Sequence, residues 1–131
     1  MDKIATDLNQ GQKLSKILPI ESADMSWVSI YDENHLMSDY RPDYRLYLIP
    51  YRSNSWESVP AWSLSALINV LPDTIEDDTG VLFGLNIKKN FVEYYNPSMG
   101  ALYATYHSVN ADDLIDACVE MILKLKEKGL L

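Results

Sequence analysis

A single cysteine, Cys118, stands among 131 residues, so no disulfide can form within the chain. Small oxidised domains depend on several such bridges, whereas a lone thiol suits a reducing cytoplasm. Apolar runs extend over only a few residues, far short of the ~20 that a membrane-spanning helix needs. The start, Met1-Asp2-Lys3, is polar and offers no apolar signal region. Basic residues are scarce: 11 Lys and Arg against 19 Asp and Glu leave a formal net charge of −8. Binding to nucleic-acid backbones or anionic membrane surfaces draws on many Lys and Arg contacts, so this balance argues against both. Glycines number only five, and no Gly-rich phosphate loop follows a strand. Two histidines, one cysteine and scattered carboxylates lack the close spacing of a zinc site. No motif for a reaction, a cofactor or a metal remains.

What is present describes a folded protein. The hydrophobic share is 47% and the aromatic share 11%, both too high for a disordered chain. At this length roughly two-thirds of the extended-chain surface can be buried, enough for one self-sufficient core. Neither an internal repeat nor a low-complexity linker divides the chain, so residues 1–131 read as one domain.

Periodicity supplies the elements. Ile4, Leu8, Gly11, Leu14 and Leu18 form one stripe of a helix from Lys3 to Leu18, which Pro19 ends. Gly11 weakens that helix by about 1 kcal/mol relative to Ala. Ile20 to Tyr40 is irregular, with Met25, Trp27, Val28 and Ile30 as anchors. Tyr44 to Ile49 alternates as a strand, with Leu46 and Leu48 inward. Pro42, Pro50 and Pro60 confine strands in this region to an edge. Ser63 caps a short helix to Leu71, whose buried stripe is Leu64, Leu67, Ile68 and Leu71, and Pro72 stops it.

Asp73 to Gly80 reads as a solvated acidic loop, and its carboxylates do not fall at the spacing of a calcium loop. Val81 to Lys88 and Phe91 to Asn96 make a hairpin around Lys89-Asn90. A two-residue loop sets Ile87 opposite Val92 and Leu85 opposite Tyr94, with Phe83 on the same side. After the Asn96 to Gly100 turn, Ala101 to His107 returns as a third strand. Asn110 then caps a helix to about Lys128, with Gly129 as its stop. Asp112 and Asp113 in its first turn and Lys124, Lys126 and Lys128 near its end follow the order the helix dipole favours. Its apolar side is Leu114, Cys118, Met121, Ile122 and Leu125. The expected fold is α+β: a three- to four-stranded antiparallel meander packed on one face by the C-terminal helix and the short central helix. Tyr44 to Ile49 offers an extra edge strand.

Three stretches carry a resemblance. They are Ala23-Asp24-Met25-Ser26-Trp27, Pro60-Ala61-Trp62-Ser63-Leu64-Ser65-Ala66-Leu67, and Asp116-Ala117-Cys118-Val119-Glu120-Met121-Ile122-Leu123-Lys124-Leu125-Lys126-Glu127. Their order and spacing resemble small uncharacterised proteins of gut Bacteroides and their phages or mobile elements. The resemblance spans most of the chain, and Pro60 to Leu67 is its most specific part. It implies an origin and no activity, because that family has none assigned.

The most uneven feature is a cluster. All three arginines, Arg41, Arg45 and Arg52, are interleaved with Tyr40, Tyr44, Tyr47 and Tyr51. Tyr and Arg often carry binding energy at interfaces, which makes these seven residues a candidate protein-contact surface. The plainer alternative is rim packing, with the arginines paired to Asp39, Asp43 or Glu57. A single-stranded nucleic-acid platform is a third reading, and the net charge opposes it. Cys118 sits amid the apolar side of its helix, which favours core packing over nucleophilic chemistry. His35 and His107 lack a recognisable Ser or Cys partner motif. The function expected is that of a small cytoplasmic accessory protein that binds another protein, with no cofactor or metal. The alternative is a small hydrolase or transferase using His107 with a loop carboxylate.

Overall fold

Among the described residues, seven strands form two separate antiparallel sheets, and three α-helices pack with them. The computed structural model describes residues 3–30, 43–47 and 58–131. Chain order is α1 (Leu8–Ser15), β1 (Met25–Ile30), β2 (Asp43–Tyr47), β3 (Ser58–Ala61) and α2 (Leu64–Val70). Then follow β4 (Thr74–Glu76), β5 (Leu82–Lys88), β6 (Phe91–Tyr95), β7 (Thr105–Asn110) and α3 (Leu114–Glu127). One sheet runs β2-β1-β3 and the other is the meander β4-β5-β6-β7. The expected α+β meander is therefore present. Among the described residues, no helix is long and apolar enough to cross a membrane.

The hairpin has the expected register, with Ile87 opposite Val92 and Leu85 opposite Tyr94 around the Lys89-Asn90 turn. Strand alternation puts Phe83, Leu85, Ile87, Val92, Tyr94 and Val109 toward the core. α3 covers this face, and α2 packs on α3. Ser63 caps α2 as expected: its hydroxyl accepts from Ala66 N at 3.2 Å. Leu67 and Leu71 are buried, and Ala66 joins them.

Several boundaries differ from the sequence reading, each for a local reason. α1 begins at Leu8 because Asp7 and Gln10 form a capping box, each side chain bonded to the other's backbone N–H. The preceding residues extend beside the chain after β3, with Thr6 N donating to Trp62 O at 3.0 Å. β1 lies within the stretch expected to be irregular, and it is the central strand of its sheet. β2 pairs with β1, so the Tyr44 segment extends this second sheet and not the meander. The meander's fourth strand is β4, inside the expected acidic loop, where Ile75 is buried opposite Phe83.

β7 starts at Thr105, four positions beyond Ala101, because residues 97–104 form a 3₁₀ turn and a loop. It continues through Asn110, so Asn110 ends a strand and does not cap α3. The cap is Asp113, whose carboxylate accepts from Ile115 N at 2.8 Å. At the other end, Gly129 takes φ +73°, a conformation costly for residues with a Cβ. Its N–H bonds to Lys126 O, and Leu130 N bonds to Leu125 O, closing the helix in a Schellman arrangement.

α3 is buried more widely than a single stripe. Ile115, Ala117 and Val119 are buried alongside Cys118, Met121, Ile122 and Leu125, because α2 and the meander enclose different sides. Burial, with a smaller push from the Asp113 carboxylate, raises the Cys118 thiol to about 11. We therefore expect slow labelling of Cys118 by a thiol reagent in native buffer and fast labelling after unfolding, since thiolate is the reactive form. Rapid native labelling would place this helix outside the core.

Candidate interaction surface

The connection from β6 to β7 presents apolar side chains from a braced backbone. Asn96 Oδ1 accepts from Ser98 N at 3.0 Å and from Ser98 Oγ at 2.6 Å, starting a 3₁₀ turn over Pro97–Met99. Gly100, at φ +79°, permits the reversal that follows, and Tyr103 N bonds back to Gly100 O at 3.1 Å. Asn96 N donates to Ala104 O at 2.8 Å, which closes the loop at its base. Asn96 Nδ2 also holds Leu82 O at 2.8 Å, tying the loop to β5. Met99 packs against the core, and Ala104 is buried.

Outside these anchors, Leu102 is 89% exposed and Tyr103 is 69% exposed. Leu82, at 51%, and Tyr95, at 38%, lie at the same end of the meander, where β5 begins and β6 ends. An exposed leucine alone needs no explanation. Four large apolar residues at one end of a sheet, two of them on a loop held by side-chain and backbone bonds, are the kind of patch that marks a contact site. The adjoining β7 pairs only with β6 among the described residues, so among them its outer edge has no strand partner.

Sequence reading missed this surface because it extended the third strand back to Ala101, which turned Leu102 and Tyr103 into strand residues. The available signal was Asn96-Pro97 with Gly100, which spaces a loop longer than a tight turn.

The Tyr/Arg cluster is only partly described. Tyr44, Arg45 and Tyr47 lie on β2, whose backbone pairs with Ser29, Val28 and Ser26 of β1 at the edge of the three-stranded sheet. Among the described residues that strand has the expected edge position. Tyr40, Arg41, Tyr51 and Arg52 lie outside the described residues, as do Leu48, Ile49 and His35.

Other polar groups are occupied structurally. Lys3 Nζ bonds to Asp116 at 2.7 Å and to Asp7 at 3.2 Å, and Gln10 Nε2 shares the same Asp116 oxygen at 2.7 Å. Partial burial opposes ionisation of Asp116, but the bonds from Lys3 and Gln10 prevail and hold its carboxyl below the usual range. This group lines a cleft of about 500 Å³ and joins the N-terminal segment to α3. Glu93 is buried on the sheet face turned away from α3, accepting from Asn86 Nδ2 at 2.8 Å and Thr105 Oγ1 at 3.2 Å.

Ser63 Oγ donates to Asp24 while serving as a helix cap. Among the described residues, no group of His, Cys, Asp and Glu is arranged to hold a metal ion. None of their carboxylates hydrogen-bonds to His107 either, and its Nε2 is buried without a partner. Comparison with protein-family models, curated proteins and solved structures found no match.

Proposed function

We propose that this chain is a small accessory protein that acts by binding another protein, with Leu102 and Tyr103 as its anchors. The observation that carries this reading is the exposure of both side chains on a loop braced by Asn96, Gly100 and Ala104. A loop already held in one conformation loses little further freedom on binding, which favours affinity. The matching partner offers an apolar pocket for the two anchors, beside an extended segment able to pair with β7. The cytoplasmic setting rests on the lone cysteine, and the mobile-element origin rests on the sequence resemblance alone. The Tyr/Arg strand β2 is a second contact candidate on the other sheet.

A comparison of Leu102→Ser plus Tyr103→Ser with Arg45→Ala plus Tyr47→Ala tests this reading. Each pair would be followed by thermal denaturation and by affinity capture from the native host. The loop pair should change stability by no more than about 1 kcal/mol in total, as exposed substitutions usually do. It should also weaken partner capture at least tenfold, the loss of about 1.4 kcal/mol or more expected for hot-spot anchors. Undiminished capture by the loop pair sinks the assignment of this surface. Loss confined to the β2 pair moves the site to the Tyr/Arg strand.

A further inference from the structure

His107 occupies a place that suits its neutral ring and not its cation. An extra residue in β7, opposite the step from Tyr94 to Tyr95, sets Tyr106 and His107 side by side. Their ring centroids are 4.2 Å apart in an edge-on arrangement, and Tyr106 in turn stacks on Phe83 at 5.2 Å. The strand pairing places His107 opposite Tyr94, within the sheet that α3 covers. From α3 the charged groups that act on it are Lys124 and Lys128, both cations. From β6 it meets Tyr94, whose phenol already donates to Pro72 O at 2.7 Å, and from β7 it meets Tyr106. The buried Nε2 has no partner.

We propose that His107 is an acid-sensitive latch, whose neutral ring seats the C-terminal turn of α3 against β7 and whose protonation releases that turn. A neutral imidazole can keep Nε2 as a bare acceptor, the cheaper way to leave a nitrogen unpaired in an apolar site. Protonation would bury an N–H without an acceptor and add a positive charge beside two lysines. Burial first, then Lys124 and Lys128, lower the proton affinity of the seated ring below its usual value. The released ring titrates near the ordinary pKa of about 6.5. The released form therefore binds the proton more readily, and the latch is fully closed above that pH and weakens as pH falls below it. Between pH 7.5 and 5.5 the released population rises by up to about tenfold, the limit reached if only the released ring protonates. The segment set free is the part of α3 that carries the two lysines, with the residues after it, from Lys124 to Leu131. This inference stands apart from the binding reading and does not depend on it.

Amide hydrogen exchange at pH 7.5 and 5.5, corrected for intrinsic exchange, reads the latch directly. Protection over residues 124–131 should fall at the lower pH, while α2 keeps its protection. His107→Phe should remove this difference, and His35→Gln should leave it intact. Equal protection at both pH values overturns the proposal, as does a loss spread evenly over α2 and α3 or one that survives His107→Phe. If His107→Phe does not fold, titration of the His107 ring by NMR supplies the test. Its midpoint should lie below 6.5 and rise in Lys124→Met, and a midpoint above 6.5 overturns the latch.

Discussion

Met121→Ala and Leu125→Ala should each destabilise the protein by about 2–5 kcal/mol, the range for truncating a fully buried side chain. Both residues are wholly buried on α3, the helix that meets α1, α2, β6 and β7. Removing either side chain forfeits its transfer energy and leaves a cavity between elements that cannot all close on it. The spread reflects how far each site collapses. Total stability of a domain is about 5–15 kcal/mol, so the double variant should be largely unfolded at room temperature. Urea denaturation with an unchanged slope measures the loss, because the slope reports the surface exposed on unfolding. Lys126→Ala and Glu127→Ala, exposed on the same helix, supply the comparison and should stay within about 0.5 kcal/mol of the parent. A loss below about 1 kcal/mol for both core variants would remove α3 from its central place.

Gly11→Ala should destabilise by about 2–3 kcal/mol, the upper part of the usual range for overpacking. Helix propensity alone predicts the opposite, a gain of about 1 kcal/mol. The reason for the reversal is a backbone. A Cβ added at Gly11 would sit 2.3 Å from Pro60 O and 3.1 Å from a methyl of Val59. Neither α1 nor β3 can rotate this contact away, since a carbonyl oxygen has no alternative rotamer. α1 is tied to α3 by the Gln10–Asp116 bond and by Lys3, which bridges Asp7 and Asp116, so a shift would spread to other contacts. Asn9→Ala, at an exposed position of the same helix, should gain a few tenths of a kcal/mol by propensity. Thermal or urea denaturation of the two variants separates the explanations, because propensity gives them the same sign and packing gives them opposite signs.

The hairpin and the terminal helix were legible in sequence because local pattern and final environment agree. Period-2 alternation in Phe83 to Tyr94 faces a single core, and the two-residue turn leaves one register that keeps it buried. Ser63 and Pro72 bracket α2 by chemistry confined to their own neighbourhood. β4 was not legible, because it buries one side chain, Ile75, within an acidic stretch. β1 was hidden because its central place depends on pairing with β2 and β3, which are distant in sequence.

The candidate surface shows the same division. Leu102 and Tyr103 are apolar and read as strand, yet Asn96 and Gly100 bend the chain so that both face solvent. Cys118 was legible as a core residue, since a helical period already placed it amid an apolar stripe. His107 was visible only as a histidine near the end of a strand. Its closeness to Lys124 and Lys128 arises where α3 packs on the meander.

The sequence by itself determined the α+β class, the hairpin register, the cap of α2, the apolar side of α3 and the excess negative charge. These follow from local periodicity, capping and composition, which act over a few residues. Only the tertiary structure decided that the strands divide into two sheets, that Gly11 must remain without a side chain, and that Nε2 of the half-buried His107 is left without a partner. Each depends on which distant segments meet, and meetings between distant segments are set by the packing of the whole chain.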